Sequence, residues 1–166
     1  MKSKLLLLLF LSVLSNTVFA ENIDIIATNI TIDKNTQSTI FKNNVVIKDI
    51  DGNIIKSNFA EYKKKEGFIV LKDDITISDK DNNVLKTNRA TYDTKDKILK
   101  TFENTSFVSA EGYKLNSSDI ELNIKDKSIY SNNLTELVDL DGNIITLDRK
   151  STRLNSSHRC ISYAVF

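Results

Sequence analysis

The pentapeptide Asp-Gly-Asn-Ile-Ile stands at residues 51–55 and again at 141–145. The two copies are ninety positions apart, three times thirty, and a shift of thirty brings the rest of the chain into register. Asp51-Gly52 aligns with Asp81-Asn82, Glu111-Gly112 and Asp141-Gly142. Ala27, Ser57, Thr87 and Ser117 make a second column; Ile30, Ala60, Ala90 and Ile120 a third; Ile32, Tyr62, Tyr92 and Leu122 a fourth. Ile47, Ile77, Phe107 and Leu137 make a fifth, and no insertion is needed. Such a unit cannot bury its own apolar face, so the units must stack and share one interior.

Each unit reads as strands. Val45 to Asp49 and Ile75 to Asp79 alternate, with Val45, Ile47, Ile75 and Ile77 on one face. An acidic residue followed by Gly or Asn then makes a hairpin turn, because Gly and Asn tolerate the positive φ that tight turns need. A longer strand follows, and in it the alternation slips by one residue: Ser57 to Ala60, Thr87 to Ala90, Ser117 to Ile120. A slip at one repeat position predicts a bulge or sharp bend in every long strand. Polar turns such as Asp93 to Lys97 follow, and short apolar pairs (Phe68-Ile69, Ile98-Leu99, and Ile129) close the unit. No segment after residue 20 has a 3.6-residue apolar period. The fold class is therefore all-β, of stacked, bent strands.

The two ends differ from this pattern. Lys2 and Lys4 precede an apolar run, Leu5 to Leu14, and Val18-Phe19-Ala20 has the small residues a signal peptidase reads. Residues 1–20 are expected to be a cleaved secretory signal, the run being shorter than the ~20 residues of a membrane span. At the other end, Asp148 to Phe166 breaks the composition, with three of the four arginines that follow residue 20. Asp148 to His158 and Ile161 to Phe166 are what a common short-read sequencing adapter encodes in one frame. Residues 148–166 are therefore expected to be translated adapter and not native. The only His (His158) and the only Cys (Cys160) lie there, so a Cys-His nucleophilic pair is not expected. The repeat domain is assigned to 21–147, truncated at its C-terminal end.

Within 21–147 there are 17 basic and 21 acidic residues, a net charge of −4. Scattered charges of this kind leave no nucleic-acid footprint. An exported chain without Cys has no disulfide framework and relies on strand pairing and apolar packing. No spacing repeats a general acid–base pair, so an enzyme is not expected and no catalytic residue is assigned. The acidic turn column Asp51, Asp81, Glu111, Asp141 supplies one carboxylate per turn, too few for a calcium site, and turn chemistry explains it; no metal or cofactor is expected.

The columns resemble the OstA-like family of lipopolysaccharide-transport proteins. The opening is carried by Ala27, Ile30, Ile32 and Asp33, the next strand by Asn43-Asn44-Val45-Val46-Ile47, and the bent strand by Ser57, Ala60 and Tyr62. The resemblance covers Ile23 to about Leu147. Its later pieces, Glu111 to Ser131 and Leu137 to Ile145, are more similar to the N-terminal periplasmic domain of the family's outer-membrane assembly member than to its free-standing bridge member. A β-solenoid adhesin or polysaccharide-acting protein is the reading of another class. It would need carboxylates or aromatics clustered on one outer face, which the columns do not supply.

The resemblance implies a β-jellyroll of V-shaped antiparallel strands, placed in the periplasm or at the outer membrane of a Gram-negative cell. It implies lipopolysaccharide as ligand, its acyl chains in an apolar groove. It implies other jellyrolls of the same transport system as partners, joined by strand-edge pairing, and an outer-membrane barrel at the end of the route. The barrel link that some members make through a cysteine is not implied, since the repeat domain has none. The candidate groove lining is the inward column Val45, Ile47, Ala60, Tyr62, Ile75, Ile77, Ala90, Tyr92, Phe107, Ile120, Leu122 and Leu137. Tyr62 and Tyr92 are placed either near the groove mouth with the hydroxyl outward or in plain cross-strand packing.

Overall fold

Among the described residues the chain bends or breaks at one height from Ile23 to Val138, and that bend divides a single sheet into two arms. The computed structural model describes residues 23–147. The expected signal and the adapter-like tail lie outside the described residues. Thirteen strands follow one another: β1 (Ile23–Ile26), β2 (Asn29–Asp33), β3 (Ser38–Asp49), β4 (Ile54–Lys63), β5 (Phe68–Ser78), β6 (Val84–Asp93), β7 (Ile98–Thr101), β8 (Thr105–Val108), β9 (Lys114–Ser117), β10 (Glu121–Asn123), β11 (Ser128–Tyr130), β12 (Thr135–Val138) and β13 (Ile144–Leu147). All pair antiparallel. Among the described residues there is no helix.

The first arm runs β1-β3-β4-β5-β6-β8-β9-β12-β13. The second is made by β2, the other halves of β3 to β6, and β7, β10 and β11. The four long strands cross the bend and belong to both. This is the stack of bent strands expected from the slipped alternation, in the V shape that the resemblance implies.

The bend itself sits on the strands adjacent to those where the slip is written. Register shifts fall between Lys42 and Val45 on β3 and between Lys72 and Ile75 on β5. The extra residues there are left-handed: Asn43 (φ 64°), Asn44 (52°), Asp73 (63°) and Asp74 (52°). Asn and Asp adopt this conformation at least cost among residues with a Cβ. The bulges keep β3 and β5 continuous, so Phe68-Ile69 opens a long strand instead of closing a unit. One unit later the chain breaks outright, between β7 and β8, and Ile98-Leu99 forms a strand of its own.

The turns repeat as strictly as the strands. Gly52, Asn82, Gly112 and Gly142 are left-handed at the tips of the first arm, with φ of 87°, 66°, 101° and 84°. Gln37, Gly67, Lys97 and Lys127 are left-handed at the tips of the second, with φ of 54°, 71°, 59° and 50°.

Where the ladder breaks, hydroxyls take over its backbone partners. Ile120 donates its amide to Thr101 Oγ1 at 2.8 Å, and Ser57 Oγ donates to Phe59 O at 3.1 Å. Thr105 Oγ1 lies 2.7 Å from Glu103 O and 2.8 Å from Thr101 Oγ1. Ser128 is the exception: its hydroxyl is buried and makes no hydrogen bond. A buried hydroxyl without a partner costs about 1–3 kcal/mol, so Ser128→Ala is expected to raise the unfolding free energy by about 1 kcal/mol in urea titration. Destabilisation by this substitution would mean that the hydroxyl has a partner.

Candidate functional site

Antiparallel partners share a face, so the register shows what the two arms present to each other. On the first arm one inward row runs Ile25, Ile47, Ile55, Ile77, Leu85, Phe107, Leu115, Leu137, Ile145 across nine strands. On the second arm a row runs Ile32, Thr39, Tyr62, Ile69, Tyr92, Leu99, Leu122, Ile129. Beside it, nearer the bend, runs Ile30, Phe41, Ala60, Leu71, Ala90, Thr101. Apart from Ile30, Ile32, Thr39 and Thr101, the side chains of these rows meet in one apolar cluster.

Of the twelve inward residues read from sequence, Val45, Ile47, Ala60, Ile75, Ile77, Ala90, Tyr92, Phe107, Ile120 and Leu137 are buried. Tyr62 and Leu122 are half-buried and pack against the same cluster. The space between the arms is filled: thirteen of the eighteen buried apolar residues are at most 1% exposed. The rows are open at the N-terminal end, where Ile30 and Ile32 stand 57% and 71% exposed on the inward face of β2.

Tyr92 is not at a wet mouth. Its ring is buried, and its hydroxyl donates to Asp49 Oδ2 at 3.3 Å. Burial, with the Asp49 charge second, pushes this phenol well above its usual range.

The residue that organises the first arm's turns precedes the acidic column. Asp49 Oδ1 accepts the amides of Asp51 and Asn53, both at 2.9 Å, and Oδ2 accepts Asn53 Nδ2 at 2.8 Å. Asp79 holds Asp81 and Asn83 in the same way, and Asp139 holds Asp141 and Asn143. The third copy substitutes Ser109, whose Oγ accepts the Tyr113 amide at 3.1 Å. The legible signal was Asp-x-Asp-x-Asn at 49–53, 79–83 and 139–143.

The acidic column also reaches across to the other arm. Lys97 Nζ lies 3.5 Å from Asp49 Oδ2 and 3.6 Å from Asp51 Oδ2. Lys127 Nζ lies 2.6 Å from Asp81 Oδ2. Asp51–Lys97 and Asp81–Lys127 each join residues 46 positions apart, and the second is the first moved on by thirty. The turns at the tips of the two arms are therefore fastened to each other. Among the described residues no three metal-ligating side chains gather.

Burial alone raises the Asp49 pKa. The side chain and amide of Asn53, the Lys97 charge and the Asp51 amide outweigh it, so the carboxyl sits below its usual value. A depressed folded value means stability that is complete above the unfolded value, about 3.9, and lost as pH falls through the lower folded value. The thermal midpoint is expected to drop below about pH 4, and less steeply in Asp49→Asn. Identical acid profiles for the two proteins would contradict this.

The model of the family described as "Lipopolysaccharide-assembly, LptC-related" matches residues 14–138. The chain belongs to this LptC-related family. Among solved structures, the fold is similar to the crystal structure of LptH from Pseudomonas aeruginosa, described as the LptA-homologous periplasmic component of a lipopolysaccharide transport device. The TM-score is 0.59 at 11% identity, covering 77% of this chain and 95% of that one. No curated protein matches the chain significantly. The all-β jellyroll of the LptC-related chain is thus shared with a solved Lpt protein at an identity too low to carry more than fold.

Proposed function

We propose that this LptC-related protein is a periplasmic carrier of lipopolysaccharide, a bridge element that shields acyl chains between its two arms. The observation that carries this reading is the pair of inward apolar rows. The first arm's row is apolar across all nine strands, and the second arm's rows, apolar except at Thr39 and Thr101, emerge uncapped at Ile30 and Ile32. Covering acyl chains from water is worth roughly 0.8 kcal/mol per CH₂, which suits such rows. The interior is filled, so a chain enters by parting the arms. The twelve inward residues from Val45 to Leu137 are the proposed contacts.

The sheet ends favour a bridge. Among the described residues β1 and β2 at one end, and β13 and β11 at the other, each leave one backbone edge without a neighbour. Such edges accept a further strand, and other Lpt jellyrolls are the proposed partners. The family match and the likeness to an LptA homologue favour this bridge reading over the N-terminal domain of LptD, which the later sequence pieces suggested. The outer-membrane barrel as a direct partner belongs to that LptD reading alone.

Protein recovered from the periplasm of a Gram-negative host is expected to carry lipopolysaccharide in near-stoichiometric amount, measured by extraction and mass spectrometry. Lipid-free protein, also unable to take up added lipopolysaccharide, would refute the reading.

A further inference from the structure

The two lips of the V carry opposite charge. The first arm's turns, 49–53, 79–83, 109–113 and 139–143, hold seven carboxylates and one lysine, Lys80. The second arm's turns, 33–37, 63–67, 93–97 and 123–127, hold eight lysines and five carboxylates. Where the lips meet, Lys97 is tied to Asp49 and Asp51, and Lys127 to Asp81. The Asp49 side chain is only 3% exposed and that of Lys97 15%, so this contact is shielded from solvent.

Parting the lips has unequal consequences on the two sides. Asp49 keeps the Asp51 and Asn53 amides and the Asn53 side chain, all from its own turn. Asp81 lies on an exposed turn. Lys97 loses both of its carboxylates and Lys127 its only one. The Lys97 ammonium, shielded from solvent, is costly to leave unpaired, and an anion on the entering molecule removes that cost; the half-exposed Lys127 adds a second positive charge on the same lip. A phosphate fits best, because it carries up to two charges and three strong acceptor oxygens. A neutral headgroup leaves both lysines unpaired.

We propose that Lys97 and Lys127 form an ionic latch across the mouth and select amphiphiles bearing a phosphate next to their acyl chains. This rests on the carrier reading and adds the headgroup chemistry that the carrier accepts. The outward-facing lysines of the sheet, such as Lys56, have no part in it.

Titration calorimetry of the purified protein with dodecyl phosphate and dodecyl maltoside, both below micellar concentrations, tests the latch. The wild type is expected to bind the phosphate at least tenfold tighter. K97Q/K127Q should lose most of that preference while binding the maltoside as well as or better than before. Lys97→Arg/Lys127→Arg and Lys56→Gln should keep it. Should the double glutamine variant not fold, Lys127→Gln alone, at an exposed position, is judged by the same loss. An unchanged preference in the glutamine variants overturns the latch and leaves the carrier standing. Failure of the wild type to bind either amphiphile overturns both.

Discussion

Leu71→Ala is expected to lower the unfolding free energy by about 3–5 kcal/mol. Leu71 is fully buried at the centre of the second arm, in the inward row Phe41, Ala60, Leu71, Ala90, Thr101. Its register neighbours are both alanines, so the leucine fills the space that they leave. Truncation produces three consecutive alanines in that row. The cost is the lost transfer energy plus the energy of the cavity. Against a typical total of 5–15 kcal/mol, this brings the protein near its folding threshold. Urea unfolding is the measurement, with a lower midpoint and an unchanged slope. Ile144→Ala, at an exposed position on β13, is expected to stay within about 0.5 kcal/mol. A loss below 1 kcal/mol for Leu71→Ala would mean that the arms do not pack as one interior.

Asp49→Ala is expected to cost about 3 kcal/mol, well above the effect of Asp51→Ala. The carboxylate of Asp49 satisfies two amides, the Asn53 side chain, the Tyr92 hydroxyl and Lys97. Removing it leaves the buried phenol and a partly buried ammonium without that partner. Asp49→Asn keeps the shape and some acceptor capacity, so its cost should fall between the two. Tyr92→Phe in the Asp49→Ala background should recover part of the loss, because it removes the orphaned hydroxyl. Equal effects for Asp49→Ala and Asp51→Ala would place the turn's anchor at the wrong residue.

Much of this architecture was legible because the fold is periodic. The recurrence of Asp-Gly-Asn-Ile-Ile set the repeat, and the alternation at Val45, Ile47, Ile75 and Ile77 set the inward face. The step from Ser57 to Ala60 announced the bend at the right height. It could not say which strand absorbs the extra residue, because a register shift belongs to a pair of strands. The answer lay in Asn43-Asn44 and Asp73-Asp74, residue types that tolerate the left-handed conformation. The ties between the arms were not legible at all. Lys97 meets Asp49 and Asp51 across 48 and 46 residues, separations fixed by how far one arm is staggered against the other. Local patterning carries no record of that stagger. It also could not tell that Tyr92 turns its hydroxyl to a carboxylate and not to water.

Photo-crosslinking tests most directly whether the space between the arms carries lipid. A photoreactive residue at Ile77 or Phe107, both on the inward row of the first arm, should label lipopolysaccharide in cells. The same residue at Lys56, exposed on the outward face of β4, should not. Equal labelling at all three positions, or labelling at Lys56 alone, would contradict the account.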